Sequence, residues 1–376
     1  MQSWLESAIT RRLLLGSGAL IGGSSAARLA LGQAPKSPAV SSTHLGLAAG
    51  HDTHNGMITV GEVDSVRNGF DPHEILTAWE TGALSLLPDG RVLREFDVVA
   101  VDKEIEIAPG ILFPAWTYNG RVPGPTLRVT EGDRVRVRFL NAGSHRHSMH
   151  FHGIHSARMD GVPGAGDIGP GEEFVYEFDA FPFGCHLYHC HSVPLKRHIH
   201  KGLYGAFIVD PDPGRHPEQE ALARGRLLGS PDNGRWQEFV LVMNGFDTNF
   251  DDENEVYAVN SIAHAYSKRP IVVDRARPIR LYLINITEFD PINSLHLHAN
   301  FFDYYDHGTS LMPTLRTVDT VMQCQGQRGI LEMTYQDHEP GLYMFHAHQS
   351  EFAELGWMSL FDVRDATSAP AARTTP

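Results

Sequence analysis

The chain has 376 residues, of which 42% are hydrophobic, with 36 Gly and 23 Pro. This length suffices for two ordinary domains, and the Gly and Pro content predicts many turns and few long helices. The formal net charge of −14 disfavours binding to nucleic acid or to anionic membrane surfaces. We therefore expect a globular, mostly β protein whose partners are small or cationic molecules.

The N-terminus, residues 1–34, is predicted to be a twin-arginine export signal. Arg11 and Arg12 precede an apolar run rich in Gly, Ala and Ser, which ends in small residues near Ala34. Because Arg28 and the small residues dilute this run, no membrane span is expected in the mature protein. The prediction is export to the periplasm or the extracellular space.

Residues 35–95 show no clear hydrophobic period and are predicted to form an N-terminal extension packed on the outside. In residues 96–210 the pattern alternates, and residues 134–139 read Arg-Val-Arg-Val-Arg-Phe, as in a half-buried strand. Asn119-Gly120 and similar pairs are turn signals between such runs. This spacing predicts a Greek-key β-sandwich as the first domain.

The same order of features recurs in residues 236–363, which predicts a second domain of the same kind. Residues 278–285 repeat the strand that ends at Asn141, and a His-x-His pair follows each of the two. The polar, Gly- and Pro-rich residues 211–235 are predicted to link the domains, and residues 364–376 to form a disordered tail. The expected fold class is all-β, with two sandwich domains.

Four His-x-His pairs are distributed over the two halves of the chain. Alternate residues of a strand point to the same side, so each pair can direct two imidazoles at one point. Neutral imidazoles suit a copper cluster. The pairs are His150 and His152, His189 and His191, His296 and His298, and His346 and His348.

One of these pairs encloses a cysteine. Cys190 lies between His189 and His191, and His147 and His198 lie nearby in sequence. One thiolate and two imidazoles predict a trigonal blue-copper site at His147, Cys190 and His198. Because Cys190 adjoins two histidines of the cluster, a short covalent path would join the two centres.

The residues around this motif refine the prediction. Leu203 stands where such sites often place a weakly bound Met, which predicts a comparatively high reduction potential. In the second half, Asn293 and Ala347 replace the first histidine and the cysteine, so no second blue-copper site is expected. The other two cysteines, Cys185 and Cys324, are either bridged or free, and a disulfide framework is not expected.

The segments 147–153, 188–191, 295–298 and 345–348 resemble the four copper-binding segments of multicopper oxidases. More closely, residues 96–363 resemble the small two-domain, laccase-like members, which are related to copper nitrite reductases. The resemblance implies two cupredoxin-like domains with the type 1 copper in the first. It also implies about four coppers per chain: one type 1, one type 2 and a type 3 pair.

The resemblance assigns a role to each ligand. It implies that His150 and His296 hold the type 2 copper. Asp160 matches the acidic residue that supports proton delivery near that copper, and Glu351 and Glu354 are further candidates for this role. The implied type 3 ligands are His152, His189, His191, His298, His346 and His348.

Each half contributes only four of the eight cluster histidines, so a complete cluster needs a first domain opposed to a second. The resemblance implies head-to-tail contacts between chains that close into a homotrimer. It also implies one-electron oxidation of phenols, aromatic amines or reduced metal ions, coupled to four-electron reduction of dioxygen to water.

Two alternative functions remain open. A copper nitrite reductase shares the two-domain trimer and the type 1 site, but it has three histidines at its interdomain copper and an Asp at the position of His150. An electron-transfer protein without turnover would need His147, Cys190 and His198 and none of the other eight histidines. The additional histidines favour the oxidase.

Overall fold

The computed structural model describes residues 61–224 and 236–365. The predicted export signal and the residues after 365 lie outside the described ranges. The described chain consists mainly of strands with a few short helices, which confirms the predicted all-β class. Within these ranges no helix is long and apolar enough to cross a lipid bilayer.

Two sheets form the first sandwich. Its strands are β1 (Trp79–Glu80), β2 (Ala83–Leu86), β3 (Val92–Ala108), β4 (Ile111–Tyr118), β5 (Thr126–Thr130), β6 (Arg134–Asn141), β7 (His150–Phe151), β8 (Glu173–Asp179), β9 (Gly184–His189) and β10 (Tyr204–Asp210). One sheet has the order β1-β5-β10-β9-β7, and the other has the order β2-β3-β6-β8 with β4 paired to β3. The helices in this part are α1 (Ser65–Asn68), α2 (Pro72–Ile75) and α3 (Leu195–His200), and α4 (Glu220–Arg224) lies in the predicted linker.

Two further sheets form the second sandwich. Its strands are β11 (Gln237–Phe246), β12 (Val256–Val259), β13 (Ile271–Asp274), β14 (Ile279–Asn285), β15 (Ile292–Leu297), β16 (Phe302–Asp306), β17 (Leu315–Val318), β18 (Thr320–Cys324), β19 (Arg328–Met333), β20 (Gly341–His346) and β21 (Met358–Arg364). The sheet orders are β12-β11-β14-β19-β16-β17 and β13-β21-β20-β15-β18. Helices α5 (Ala265–Lys268) and α6 (Ser350–Glu354) accompany them.

The strand pairings show the internal duplication. The parallel pair β3 and β6 corresponds to the parallel pair β11 and β14, and β5 with β10 corresponds to β13 with β21. The antiparallel pair β7 and β9 likewise corresponds to β15 and β20. Strand β6 alternates as its sequence predicts, because Val135, Val137 and Phe139 are buried while its arginines form ion pairs on the outer face.

Residues 61–95 differ from the outer arm that the sequence suggests. Phe70 and Ile75 are buried in a hydrophobic cluster that both sandwiches share, and Leu76 is buried in the core of the second sandwich. Strand β3 already begins at Val92. Part of the segment therefore packs between the sandwiches although it has no regular hydrophobic period, while Val66, Leu84 and Leu86 remain exposed.

A buried ionic network crosses from one sandwich to the other. Arg128 binds Asp210 at 2.7 Å and Glu238 at 2.9 Å, and Arg280 binds Glu238 at 3.1 Å and Glu332 at 2.7 Å. Burial alone would raise the pKa of Glu238, but the two guanidinium groups hold this pKa at about 2. The network thus keeps the Glu238 carboxylate charged next to the shared core.

We predict that Arg280→Met destabilises the protein by about 3–5 kcal/mol, because the fully buried Glu332 then loses its counter-charge. Chemical denaturation followed by fluorescence measures this change. Arg138→Met, which removes an exposed pair with Asp97, is the control and should have a much smaller effect, because water screens exposed ion pairs. Equal effects of the two substitutions would contradict the role of the network.

Candidate metal centres

The first candidate centre is a buried triad at the end of strand β9. His147 and Cys190 are fully buried, and His198 on α3 is 2% exposed. The His198 Nδ1 atom lies 3.3 Å from the Cys190 Sγ atom and 3.3 Å from the His147 Nδ1 atom. The structure therefore brings together the three residues that the sequence selects for a His₂Cys site.

The surroundings keep the imidazoles of this triad neutral. Burial lowers the pKa of His147 to about 3 and that of His198 to about 4. Burial also raises the pKa of Cys190, while hydrogen bonds from Ser192 and Ser148 oppose the shift. The Ser148 backbone N–H donates to the Cys190 sulfur at 3.4 Å. Leu203, at the expected axial position in sequence, is fully buried.

The second candidate centre is a set of four histidines on β7, β9 and the turn after β9. His150 pairs with His189 across the two strands, and the His152 and His189 Nε2 atoms are 2.8 Å apart. The rings of His150 and His191 have centroids 5.1 Å apart. Strand register therefore gathers all four predicted ligands of the first half.

Hydrogen bonds orient these rings. The His189 Nδ1 atom lies 2.8 Å from the Cys190 carbonyl oxygen, which leaves Nε2 for a metal. The His150 Nδ1 atom lies 2.9 Å from the Asp160 carbonyl oxygen and 3.0 Å from the Asp160 carboxylate. Burial lowers the pKa of His152 to about 2. Asp160 therefore contacts the histidine that the resemblance assigns to the type 2 copper.

The third candidate centre repeats this arrangement in the second sandwich. His296 pairs with His346 across β15 and β20, and the His298 and His346 Nε2 atoms are 2.9 Å apart. The His346 Nδ1 atom lies 2.6 Å from the Ala347 carbonyl oxygen. The His348 ring lies 5.2 Å from that of His296. The duplicated fold thus produces two similar four-histidine sets, which we call the β9 set and the β20 set.

The two sets are separate in the described part of the chain. Ring contacts and metal-capable groups join histidines within each set, and none joins the β9 set to the β20 set. Most of their side chains are partly exposed, in contrast to the sealed triad. Each set therefore presents imidazoles at the surface of this chain.

Two serines link the sets to the strands behind them. The His191 backbone N–H donates to the Ser148 hydroxyl at 2.9 Å, and the His348 backbone N–H donates to the Ser294 hydroxyl at 2.8 Å. Sequence reasoning missed this pair, although each serine lies two residues before the first histidine of a pair. That repeated spacing was the available signal.

Sequence reasoning also missed residues next to the centres. The His155 ring lies edge-on to that of His150, and its Nε2 atom lies 3.5 Å from the Asp160 carboxylate. Trp116 on β4 lies with its ring centroid 4.8 Å from that of His198 and 5.3 Å from that of His147. The sequence carries no local signal for Trp116, because strand packing alone brings it to the triad.

The remaining acidic and thiol candidates lie elsewhere. Glu351 and Glu354 are exposed on α6. Neither Cys185, which is buried, nor Cys324, which is exposed, forms a disulfide in the described part of the chain. The question that the sequence left open is therefore answered in favour of two unbridged cysteines.

The chain is similar in sequence and structure to known copper proteins. Two family models described as multicopper oxidase match the chain, at residues 101–214 and 239–367. A solved crystal structure of a multicopper oxidase is 52% identical, with a TM-score of 0.73, and the match covers 81% of this chain and 100% of the other. This chain belongs to the multicopper oxidase family. It is accordingly a copper oxidoreductase.

Parts of this multicopper oxidase are also similar to proteins of other classes. A copper nitrite reductase structure from Nitrosomonas europaea is 26% identical, with a TM-score of 0.63, and the match covers 73% of this chain and 95% of the other. A copper-containing nitrite reductase of Neisseria meningitidis is 35% identical over 30% of each chain. A copper resistance protein A homolog of Pseudomonas syringae is 37% identical over 41% of this chain. The matches span 30% and 26% of the length of these two curated relatives.

The donor atoms of this multicopper oxidase fit copper. The triad combines one sulfur and two imidazole nitrogens, which is a set selective for copper. The two histidine sets offer imidazole nitrogens, and in His189 and His346 the opposite ring atom is held by a carbonyl oxygen, as is common for metal-bound histidines. The fit concerns the donor chemistry and the orientation of the rings.

We predict that the copper-free protein loses stability as the pH falls from about 7.5 to 5. The pKa values of His147 and His152 in the folded state lie far below the ordinary value of 6.5. The unfolded chain therefore binds more protons as the pH drops through about 6.5, and unfolding becomes more favourable. Thermal unfolding of copper-free protein across this range measures the effect.

The double variant His147→Gln, His152→Gln is the matched control for this pH dependence. It removes two titrating imidazoles, so its melting temperature should vary less over the same pH range. A melting temperature of the unmodified protein that does not change between pH 7.5 and 5 would contradict the assignment of buried neutral histidines.

Proposed function

We propose that the chain is a laccase-like oxidase that couples one-electron oxidation of small phenolic, aromatic amine or metal-ion donors to reduction of dioxygen. The observation that carries this proposal is the presence, in the described residues, of two four-histidine sets and one buried His₂Cys triad. Bound copper would supply the redox chemistry, in which four electrons and four protons convert one dioxygen to two waters.

Each copper type has a defined set of residues in this proposal. The triad His147, Cys190 and His198 would hold the type 1 copper, and His150 and His296 would hold the type 2 copper. The total would be about four coppers per chain. The type 3 pair would be held by His152, His189, His191, His298, His346 and His348.

The backbone around Cys190 connects the triad to the β9 set. Cys190 is bonded directly to His189 and His191, and the His189 Nδ1 atom lies 2.8 Å from the Cys190 carbonyl oxygen. A covalent route and a hydrogen-bonded route therefore run between the two centres. Both routes are short, because the end of β9 carries ligands of the triad and of the β9 set.

Asp160 is placed to handle protons beside the β9 set. Its carboxylate is partly exposed and lies 3.0 Å from the His150 Nδ1 atom and 3.5 Å from the His155 Nε2 atom. A carboxylate in contact with both solvent and a ligand histidine can accept a proton outside and pass it inward. We propose that Asp160 supplies protons for water formation.

The separation of the β9 and β20 sets supports assembly from several chains. A complete eight-histidine cluster needs the β9 set of one copy against the β20 set of the next. Such a head-to-tail interface closes into a ring, and we propose a homotrimer. We also propose twin-arginine export to the periplasm or extracellular space, and domains at residues 96–210 and 236–363.

Nitrite reduction is the competing function, because nitrite reductases are among the similar proteins. The presence of four histidines in each set, including His150, supports the oxidase. Copper analysis combined with oxygen-uptake and nitrite-reduction assays on one preparation separates the two. The oxidase proposal requires about four coppers per chain and oxygen uptake with a phenolic donor. One or two coppers with nitrite turnover would overturn it.

We predict that Cys190→Ser abolishes the blue absorption and the turnover, while copper remains bound at the histidine sets. The hydroxyl cannot replace the soft thiolate ligand or its electron path. Absorption spectra, copper analysis and oxygen uptake measure these properties. Cys324→Ser, at an exposed free thiol, is the control and should behave as the unmodified protein. Oxidase activity retained by Cys190→Ser would contradict the path.

We predict that two inactive variants restore activity when combined. His152→Ala damages the β9 set, and His298→Ala damages the β20 set. In mixed rings, an interface between the intact β9 set of one copy and the intact β20 set of another regenerates a cluster. Random mixing should recover about a quarter of the full oxygen uptake.

The complementation requires co-expression or refolding of the two variants together, with separately prepared variants mixed at the assay as the control. If each cluster formed within one chain, no combination of the two variants would regain activity. Sedimentation analysis of the same samples reports the number of chains in each particle.

A further inference from the structure

A buried ammonium group lies near the triad. Lys201 is only 6% exposed and directly follows α3, the helix that carries His198. Its Nζ atom lies 5.1 Å from the ring centroid of Phe250, 5.2 Å from that of Phe113 and 5.7 Å from that of Trp116. Three aromatic faces around one cation form a cage that stabilises the charged form through cation–π interactions.

The charge of this ammonium group is not cancelled by an ion pair. In the described part of the chain no carboxylate lies within 4.0 Å of the Lys201 Nζ atom. Burial and the neighbouring Arg197 lower the pKa of Lys201 to about 8, while Asp102 raises it. The side chain is therefore still mainly protonated at neutral pH.

Trp116 places this charge close to the triad. Trp116 lies on β4, and its ring contacts the Lys201 ammonium group. The same ring also packs against the imidazoles of His147 and His198. In addition, the Trp116 backbone N–H donates to the Lys201 carbonyl oxygen at 2.8 Å. One indole ring thus contacts the cation and both imidazoles.

We propose that Lys201 tunes the type 1 centre by raising its reduction potential. The inference rests on the proposed copper site at His147, Cys190 and His198. A fixed positive charge nearby disfavours the oxidised state, which carries one more positive charge than the reduced state. The three aromatic rings around the ammonium group replace water there, which strengthens this effect. The expected absence of an axial thioether at Leu203 acts in the same direction.

The test compares Lys201→Met with Lys201→Arg in the copper-loaded, full-length protein. Redox titration of the blue absorption band against a mediator of known potential reads the type 1 centre without relying on turnover. We expect Lys201→Met to shift the one-electron equilibrium toward the oxidised state by about tenfold, which corresponds to about 59 mV. Lys201→Arg keeps the charge and stacks on aromatic rings, so its potential should stay near that of the unmodified protein.

Lys196→Met is the matched control on the same helix. Lys196 is 54% exposed and paired with Asp252 at 2.6 Å, so its loss should leave the potential unchanged. If Lys201→Met yields no copper-loaded protein, Lys201→Gln, which is polar and also neutral, replaces it. Its type 1 reduction potential should fall by the same amount.

The outcomes distinguish this inference from the proposed function. Equal potentials for the neutral Lys201 variants and the unmodified protein would overturn the tuning role while leaving the oxidase intact. An equal fall in the reduction potential of Lys201→Arg would also overturn the tuning role, because the effect would then come from packing and not from charge. A blue band missing from the unmodified, copper-loaded protein would instead overturn the proposed type 1 site.

Discussion

Strand register at the paired histidines is the constraint on which the candidate centres depend. His150 lies directly opposite His189, and His296 lies directly opposite His346. Because side chains alternate along a strand, a slip of one residue in either pair would turn the imidazoles to the opposite face. The cores behind β7, β9, β15 and β20 fix this register, since the intervening residues are buried aromatic and aliphatic side chains.

The same alternation explains why one strand end serves two centres. His189 and His191 point to the open face, and Cys190 between them points into the core of the first sandwich. In the second sandwich Ala347 occupies the buried position. The strand pairs that carry the histidines are thus duplicated, while the cysteine is present in one half only.

The features that the sequence could predict are local or repeated. Residues as close in sequence as His189, Cys190 and His191 lie near one another however the chain packs. The alternation in β6 follows from burial of one face of the strand. The burial of Phe70 and Ile75 was harder to predict, because these residues pack between the sandwiches but belong to no regular hydrophobic pattern in residues 61–95. Trp116 and Lys201 meet the triad only through tertiary packing, and the pairing of cysteines depends on distances that spacing does not encode.

The contrast in burial between the triad and the histidine sets has a consequence for metal exchange. The triad is sealed, so an ion can reach it or leave it only when the first sandwich opens locally. The β9 and β20 sets are partly exposed, and within the proposed ring an ion held between the sets of two chains would be released when these chains part. The two kinds of centre would therefore lose metal by different routes: one limited by local unfolding of a single chain, the other by dissociation and hence by protein concentration.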